Sequence, residues 1–299
     1  MLEGYVYYDE NYPSSWISKR ASKKILKFFT KNFRFKEVDA KELANIVKQE
    51  KYSKEIVIIF AQDVIPDTVV DNPRSPTPNS PIRQFMNKGN TIIWLGDVPL
   101  FYIGKANGEK STLPTHVYKT VFYPNIITAD FETTNNPIAP KNKIRITALG
   151  SQLGLKNKWD SWRPLPPPTG NPPPPSAFYV LAEYRAGNVY RVVSYIYDYT
   201  GMGLKGFIRI YDCKLDDVSE EFLEQLSDII LYRNPSAIKM ILENMEKKII
   251  ELSQRLETRS QAIKSDIKEI GEKIDQLYNI LQKFGSSEEV SKNKQHNEC

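Results

Sequence analysis

The stretch EIVIIFA, Glu55–Ala61, is apolar without a break from Ile56 to Ala61. A strand with one wet face alternates apolar and polar residues. A run that does not alternate has to be buried on both faces, and such strands lie inside parallel sheets with helices above and below. A second run of this kind, TIIWL at Thr91–Leu95, follows it. Between the two, Pro81–Asn87 reads as a short helix ended by Lys88-Gly89. Upstream, the pattern predicts a strand at Gly4–Tyr8 and a helix over Trp16–Lys31 with Ile17, Ala21, Ile25 and Phe28 inward and Ser14 or Ser15 as its cap. A strand at Phe35–Val38 and a helix at Lys41–Lys48 come next. This alternation predicts an α/β domain with a flavodoxin-like parallel sheet and helices on both faces.

The middle of the chain is looser, with candidate strands at Asn125–Ala129 and Lys143–Leu149. Residues 163–175 hold eight prolines, which favour an extended conformation and exclude a helix or central strand. They read as a rigid surface loop, and Trp159 and Trp162 beside them as a docking surface for a partner. Strands are expected at Phe178–Tyr184, Tyr190–Tyr197 and Gly206–Tyr211, the first two joined by the turn Arg185–Asn188. A helix over Val218–Tyr232, capped by Asp217 or Ser219, closes a domain of residues 1–234. From Ser236 to about Phe284 the sequence reads as one long helix. Leu242, Met245, Ile249, Leu252 and Leu256 are apolar at 3-4 spacing, and so are Ile263, Ile267, Ile270, Ile274, Leu277 and Leu281. The join between the two sets is a four-residue stutter. One apolar stripe on a helix of about 75 Å has nothing of its own to bury it, so residues 235–284 are expected to form a coiled coil, as an intermolecular rod or a hairpin. The polar tail, 285–299, is expected to be disordered.

No apolar run approaches the ~20 residues of a membrane helix, and the acidic N-terminus lacks the marks of a signal peptide. Cys213 and Cys299 are the only cysteines, which speaks against a disulfide framework or zinc site and fits a reducing, cytoplasmic setting. The net charge of +5 divides unevenly: residues 214–299 carry 13 Lys and Arg against 17 Asp and Glu, so the rest is basic. On the first long helix Arg20, Lys23, Lys24, Lys27 and Lys31 form one stripe. Its sharper reading is a track for a phosphate backbone, and its plainer reading is a solvated face.

Strand ends supply Asp9, Glu10, Asp63 and Asp97, with Asp67 and Asp71 in the loop behind. In a parallel sheet these converge on one edge, where Mg²⁺, Ca²⁺ or acid–base chemistry would use them. The plainer reading is that Asp is common where strands meet turns and caps. Neither Gly-rich phosphate motif occurs, and the Gly-containing stretch Tyr199–Lys205 reads as a hairpin tip. No other cofactor is implied.

Three passages carry a resemblance. IVIIFAQDVIPD (Ile56–Asp67), FMNKGNTIIWLGD (Phe85–Asp97), and YRAGNVYRVVSYIYDY followed by GFIRIYD and SEEFLEQLSDIIL together resemble the class I glutamine amidotransferase-like fold, in its ThuA-like branch, over about Gly4–Arg233. The resemblance implies a nucleophilic cysteine on a tight turn after a central strand, backed by His and Glu. Here neither cysteine is expected to follow a parallel strand, and the only histidines are His116 and His296. The leading expectation is therefore a non-catalytic assembly module working through its coiled coil, with itself or another protein as partner. A nucleic-acid-associated subunit using the basic face and a metal-dependent hydrolase using the strand-end carboxylates are the alternatives.

Overall fold

The computed structural model describes residues 2–123, 131–132, 136–172, 174–201, 203–232 and 235–294. The chain opens with β1 (Glu3–Tyr7), α1 (Lys19–Phe33), β2 (Lys36–Val38), α2 (Ala40–Val47) and β3 (Ile56–Phe60). A short β4 (Ile65–Pro66) precedes α3 (Pro81–Asn87) and β5 (Thr91–Trp94). Then come β6 (Tyr102–Gly104), β7 (Lys110–Thr112), α4 (Thr115–Phe122), β8 (Ile144–Ile146) and α5 (Ala148–Gln152). The hairpin β9 (Ala177–Ala186) and β10 (Val189–Asp198) leads to β11 (Gly206–Arg209), α6 (Glu220–Tyr232) and α7 (Pro235–Lys294).

Eight strands form one sheet in the order β2-β1-β3-β5-β11-β10-β9-β8. The first five are parallel and the last three alternate in direction. The sheet is thus mixed and mostly parallel, whereas the sequence pattern suggested a parallel one. The late hairpin explains the difference: β11 leaves it pointing the same way as β5 and completes the parallel set.

The unbroken apolar run behaves as its pattern requires. Ile56, Ile58 and Phe60 enter one core, and Val57 and Ile59 enter the other. The first core takes Leu43 and Val47 from α2 and Ile82 and Phe85 from α3. The second takes Ile25 and Phe29 from α1 and Leu226, Ile229 and Ile230 from α6. Each such side chain contributes roughly 1.5–3 kcal/mol over leaving it exposed, so both faces of the sheet are committed to helices.

Local chemistry sets the helix ends. Asp39 caps α2 in a reciprocal capping box with Glu42. Ser219 accepts from the Phe222 amide at the start of α6. The cap of α1 is Ser18, which accepts from the Ala21 amide, and not Ser14 or Ser15. Those two are engaged by a carboxylate described below. A second sheet, β4-β6-β7, was not anticipated, because strands of two or three residues carry too little alternation to read. The expected strand at 125–129 lies outside the described residues. The proline loop forms no helix or strand among its described residues, and Leu165 within it is buried and bridges Val192.

The chain divides into two units, Met1–Ile241 and Leu242–Cys299. The helix α7 continues past the expected end near Phe284 to Lys294, across part of the tail expected to be disordered. Gly285 disfavours a helix by only about 1 kcal/mol, and no proline follows it. Residues 295–299 lie outside the described residues.

Gly4 of β1 is held to glycine by its neighbour: a Cβ there would lie 2.2 Å from a ring carbon of Phe35, itself buried. Gly4→Ala is expected to cost about 1–3 kcal/mol by overpacking. Urea unfolding measures it, and an unchanged midpoint would refute the close packing of β1 on Phe35.

Candidate functional site

Four of the parallel strands, β1, β3, β5 and β11, are each followed by an aspartate at the carboxyl end, at Asp9, Asp63, Asp97 and Asp212. The first two are spent on structure. Asp9 accepts from the Asn11 and Ala40 amides and so fixes the start of α2. Asp63 is buried to 1% and accepts from Ser14 Oγ (2.9 Å) and from the amides of Ser15 (2.8 Å), Trp16 (2.9 Å) and Asp97 (3.1 Å). Glu10 faces outward and pairs with Lys19 and Lys23, whose hydrogen bonds hold its carboxyl at about 2.

Asp212 is fully buried. Its carboxylate accepts from Trp159 Nε1 (2.7 Å), Ser161 Oγ (2.6 Å) and the Arg163 amide (3.0 Å). The carbonyl of Asp212 accepts from the Trp162 amide. It therefore pins residues 159–163 against the end of β11. Sequence reasoning passed over Asp212. The signal was present, since IRIYD repeats the strand-then-aspartate form of IIFAQD and IIWLGD.

Asp97 differs from these three. It is 4% exposed, and its carboxylate accepts only one hydrogen bond among the described residues, from the adjacent Val98 amide. Burial, then the nearby Asp63 charge, push its carboxyl from an ordinary 3.8 up to about 6, against the Val98 amide and the cations Arg163 and Arg209. Arg163 Nε stands 3.9 Å from Asp97 Oδ1, and its guanidinium lies 4.8 Å from the Trp16 ring centroid. Trp162 meets Trp16 edge to face at 6.2 Å. Tyr102, from β6, is close enough for Asp97 and Asp63 to add to burial in raising its hydroxyl. The β5–β11 edge thus brings together a carboxyl that titrates near neutrality, two arginines and a half-exposed aromatic pair.

The profile of the MJECL34 family matches residues 2–231, from β1 into the last turn of α6. The chain belongs to the MJECL34 family. The MJECL34 protein of Methanocaldococcus jannaschii is 31% identical over 273 residues, covering 88% of this chain and 86% of its own. A match to 88% of 299 residues is longer than the α/β body and so enters α7 wherever it begins. No solved structure matches.

On this MJECL34 family body the four predicted acids do not converge. Asp9, Glu10 and Asp63 are committed to different partners, and only Asp63 and Asp97 adjoin. Among the described residues no three carboxylate, imidazole or thiol groups are placed to hold a metal ion. A recess of about 120 Å³ lies beyond the carboxyl ends of β1 and β3, lined by residues that include Tyr12, Lys19 and Gln62. Gln62 inside it is engaged by Asp9 and Tyr12.

Cys213 does follow a parallel strand, because β11 pairs parallel with β5. This corrects the expectation that neither cysteine would. Cys213 is half-exposed as a residue, but burial pushes its thiol well up, and Asp212 and Asp160 add to the effect. That is the opposite of what a nucleophile needs. His116 sits exposed on α4. Trp159 is buried to 7% and donates to Asp212, so it is a structural pin and no part of a docking surface.

The basic stripe is largely neutralised. Arg20 and Lys24 share Asp217 at 2.8 and 2.6 Å, and Lys23 holds Glu10 at 2.8 Å. Lys27 and Lys31 are exposed and have no acidic partner among the described residues. On α7, Ile249, Leu252, Leu256, Ile263, Ile267, Ile270, Ile274 and Leu277 are 57–68% exposed. The side chains of Leu242, Met245 and Leu281 lie outside the described residues.

The titration of Asp97 gives a testable sign. Its carboxyl binds a proton more tightly folded than unfolded, so its contribution to stability is full below about pH 4 and is lost as the pH rises through about 6. Two pH units correspond to roughly 3 kcal/mol. Asp97→Asn keeps an acceptor for Val98 and removes the titration. Relative to the parent, the variant is expected to gain about 2–3 kcal/mol between pH 4 and pH 7.5 in urea unfolding. A difference that does not change with pH would refute a buried, titrating Asp97.

Proposed function

We propose that this protein is a non-catalytic assembly module, in which a flavodoxin-like, amidotransferase-like α/β domain is joined to a second copy of itself through α7. One observation carries the reading: eight large apolar side chains at 3-4 spacing, all more than half exposed on a 60-residue helix. Burying such side chains contributes on the order of 1 kcal/mol each, and a heptad seam is the geometry that buries them together. The strand order β2-β1-β3-β5-β11 supports a flavodoxin-like body. The raised Cys213 thiol supports a body without a nucleophile. A nucleic-acid role is less well supported, because three of the five stripe cations already hold acids.

Charge favours a second copy running antiparallel. With Ile267 and Ile274 at a positions and Ile263, Ile270 and Leu277 at d, Asp266 and Lys273 fall at g. In an antiparallel pair g faces g, so Asp266 meets the partner's Lys273 twice across the seam. A parallel pair sets Asp266 against Gly271 and Lys273 against Tyr278, with no ion pair.

The test is the mass of the full chain in solution by light scattering. A dimer is expected, and Ile270→Asp is expected to give a monomer whose α/β unit keeps its Tm within about 2 °C. Asp266→Lys is expected to weaken the dimer at least tenfold, and adding Lys273→Asp to restore it. A monomeric parent at tens of micromolar would overturn the reading, and so would an Ile270→Asp variant that remains dimeric.

A further inference from the structure

Arg209, the last residue of β11, is 1% exposed. Its Nη1 donates to the Arg163 carbonyl at 2.7 Å. Among the described residues its Nε and Nη2 are buried and make no hydrogen bond, the Tyr195 hydroxyl standing near the guanidinium without the geometry for one. Asp212 is three residues away, but its oxygens are taken by Trp159, Ser161 and Arg163. The Phe131 ring lies over the guanidinium at 5.1 Å. A buried cation with two unmet donors is costly, and a fold keeps one where something meets them.

The identity of the two atoms is informative. Nε and Nη2 lie on one side of the guanidinium with their N–H bonds parallel, the fork that takes both oxygens of one carboxylate or phosphate. The fork sits at the carboxyl edge of the parallel strands, where α/β sheets receive ligands.

We infer that Arg209 is the anchor of a ligand site between the ends of β5 and β11, where it takes the carboxylate of a small organic acid side-on, with Arg163 and Asp97 beside it. Charge decides for a carboxylate over a phosphate dianion. Two arginines against the carboxylates of Asp63 and Asp212 leave no net charge when Asp97 is protonated, so a monoanion costs less there than a dianion. The Phe131 ring suits an apolar remainder of the ligand. Asp97 is faced by Asp63, Arg163, Arg209 and Tyr102. A bound anion adds a further negative charge, so binding strengthens as Asp97 takes up its proton. The site is independent of assembly through α7.

The experiment is thermal unfolding of the full chain in sodium acetate or benzoate against sodium chloride at equal ionic strength, with inorganic phosphate as a third arm. A saturable rise in Tm of about 3 °C or more is expected in the carboxylates, larger at pH 5.5 than at pH 7.5. Arg209→Met fills the space without the charge and is expected to fold and lose the rise. Arg209→Lys keeps the charge without the fork and is expected to need at least tenfold more carboxylate for the same rise. It carries the test should Arg209→Met fail to fold. The inference is overturned by a carboxylate response no larger than chloride's, by one that survives undiminished in Arg209→Lys, or by a larger response to phosphate than to either carboxylate.

Discussion

The buried carboxylate of Asp63 organises the working edge of this protein. A carboxylate at 1% exposure needs its lone pairs met, and Asp63 recruits its donors from two separate loops. Ser14, Ser15 and Trp16 come from the segment before α1, and the Asp97 amide from the turn after β5. The approach is tight enough to dictate another residue. Gly96 has φ +79°, and a Cβ there would lie 2.7 Å from Asp63 Oδ2, so only glycine serves at the turn. Several features follow together. The loop before α1 is fixed, α1 starts at Ser18, Trp16 is set against Arg163, and Asp97 is turned into the protein.

Asp212 repeats this solution one strand further along. It ties down residues 159–163 and thereby delivers Arg163 and Trp162 to the edge that Asp63 has shaped. Asp63 and Asp212 are saturated acceptors. Between them, among the described residues, the buried donors left without a partner are the Nε and Nη2 of Arg209, beside the Asp97 carboxylate with its single hydrogen bond. That contrast gives the β5–β11 edge its chemical character, although the loops around it are ordinary in composition.

The sequence disclosed what depends on local periodicity. The runs IVIIF and TIIWL could be read as strands buried on both faces because each residue's environment follows from its neighbours two positions away. The helix Pro81–Asn87 was bounded correctly for the same reason. What could not be read depends on partners far along the chain. Nothing near Ser14 or Ser15 shows that Asp63, 48 or 49 residues on, would claim them before they could cap a helix. Nothing near Trp159 shows that Asp212 would bury its indole. The direction of β11 turned on whether the hairpin entered the sheet beside β5, and Cys213 was misplaced with it. The acids that looked alike as strand-end aspartates separate only through their donors: Asp63 has four within 3.1 Å, and Asp97 has one.

The helix α7 obeys a different balance. Its local support is modest. Glu251–Arg255, Lys268–Glu272 and Glu269–Lys273 are exposed pairs at i,i+4 spacing, each contributing about 0.3–0.5 kcal/mol. Gly271, in the middle of the second apolar set, takes back about 1 kcal/mol. The charged face therefore roughly breaks even, and the free energy that keeps the helix formed has to come from its apolar stripe. On the assembly proposed through α7, folding and association of this segment are the same event, so its helicity is expected to depend on protein concentration while that of the α/β unit does not.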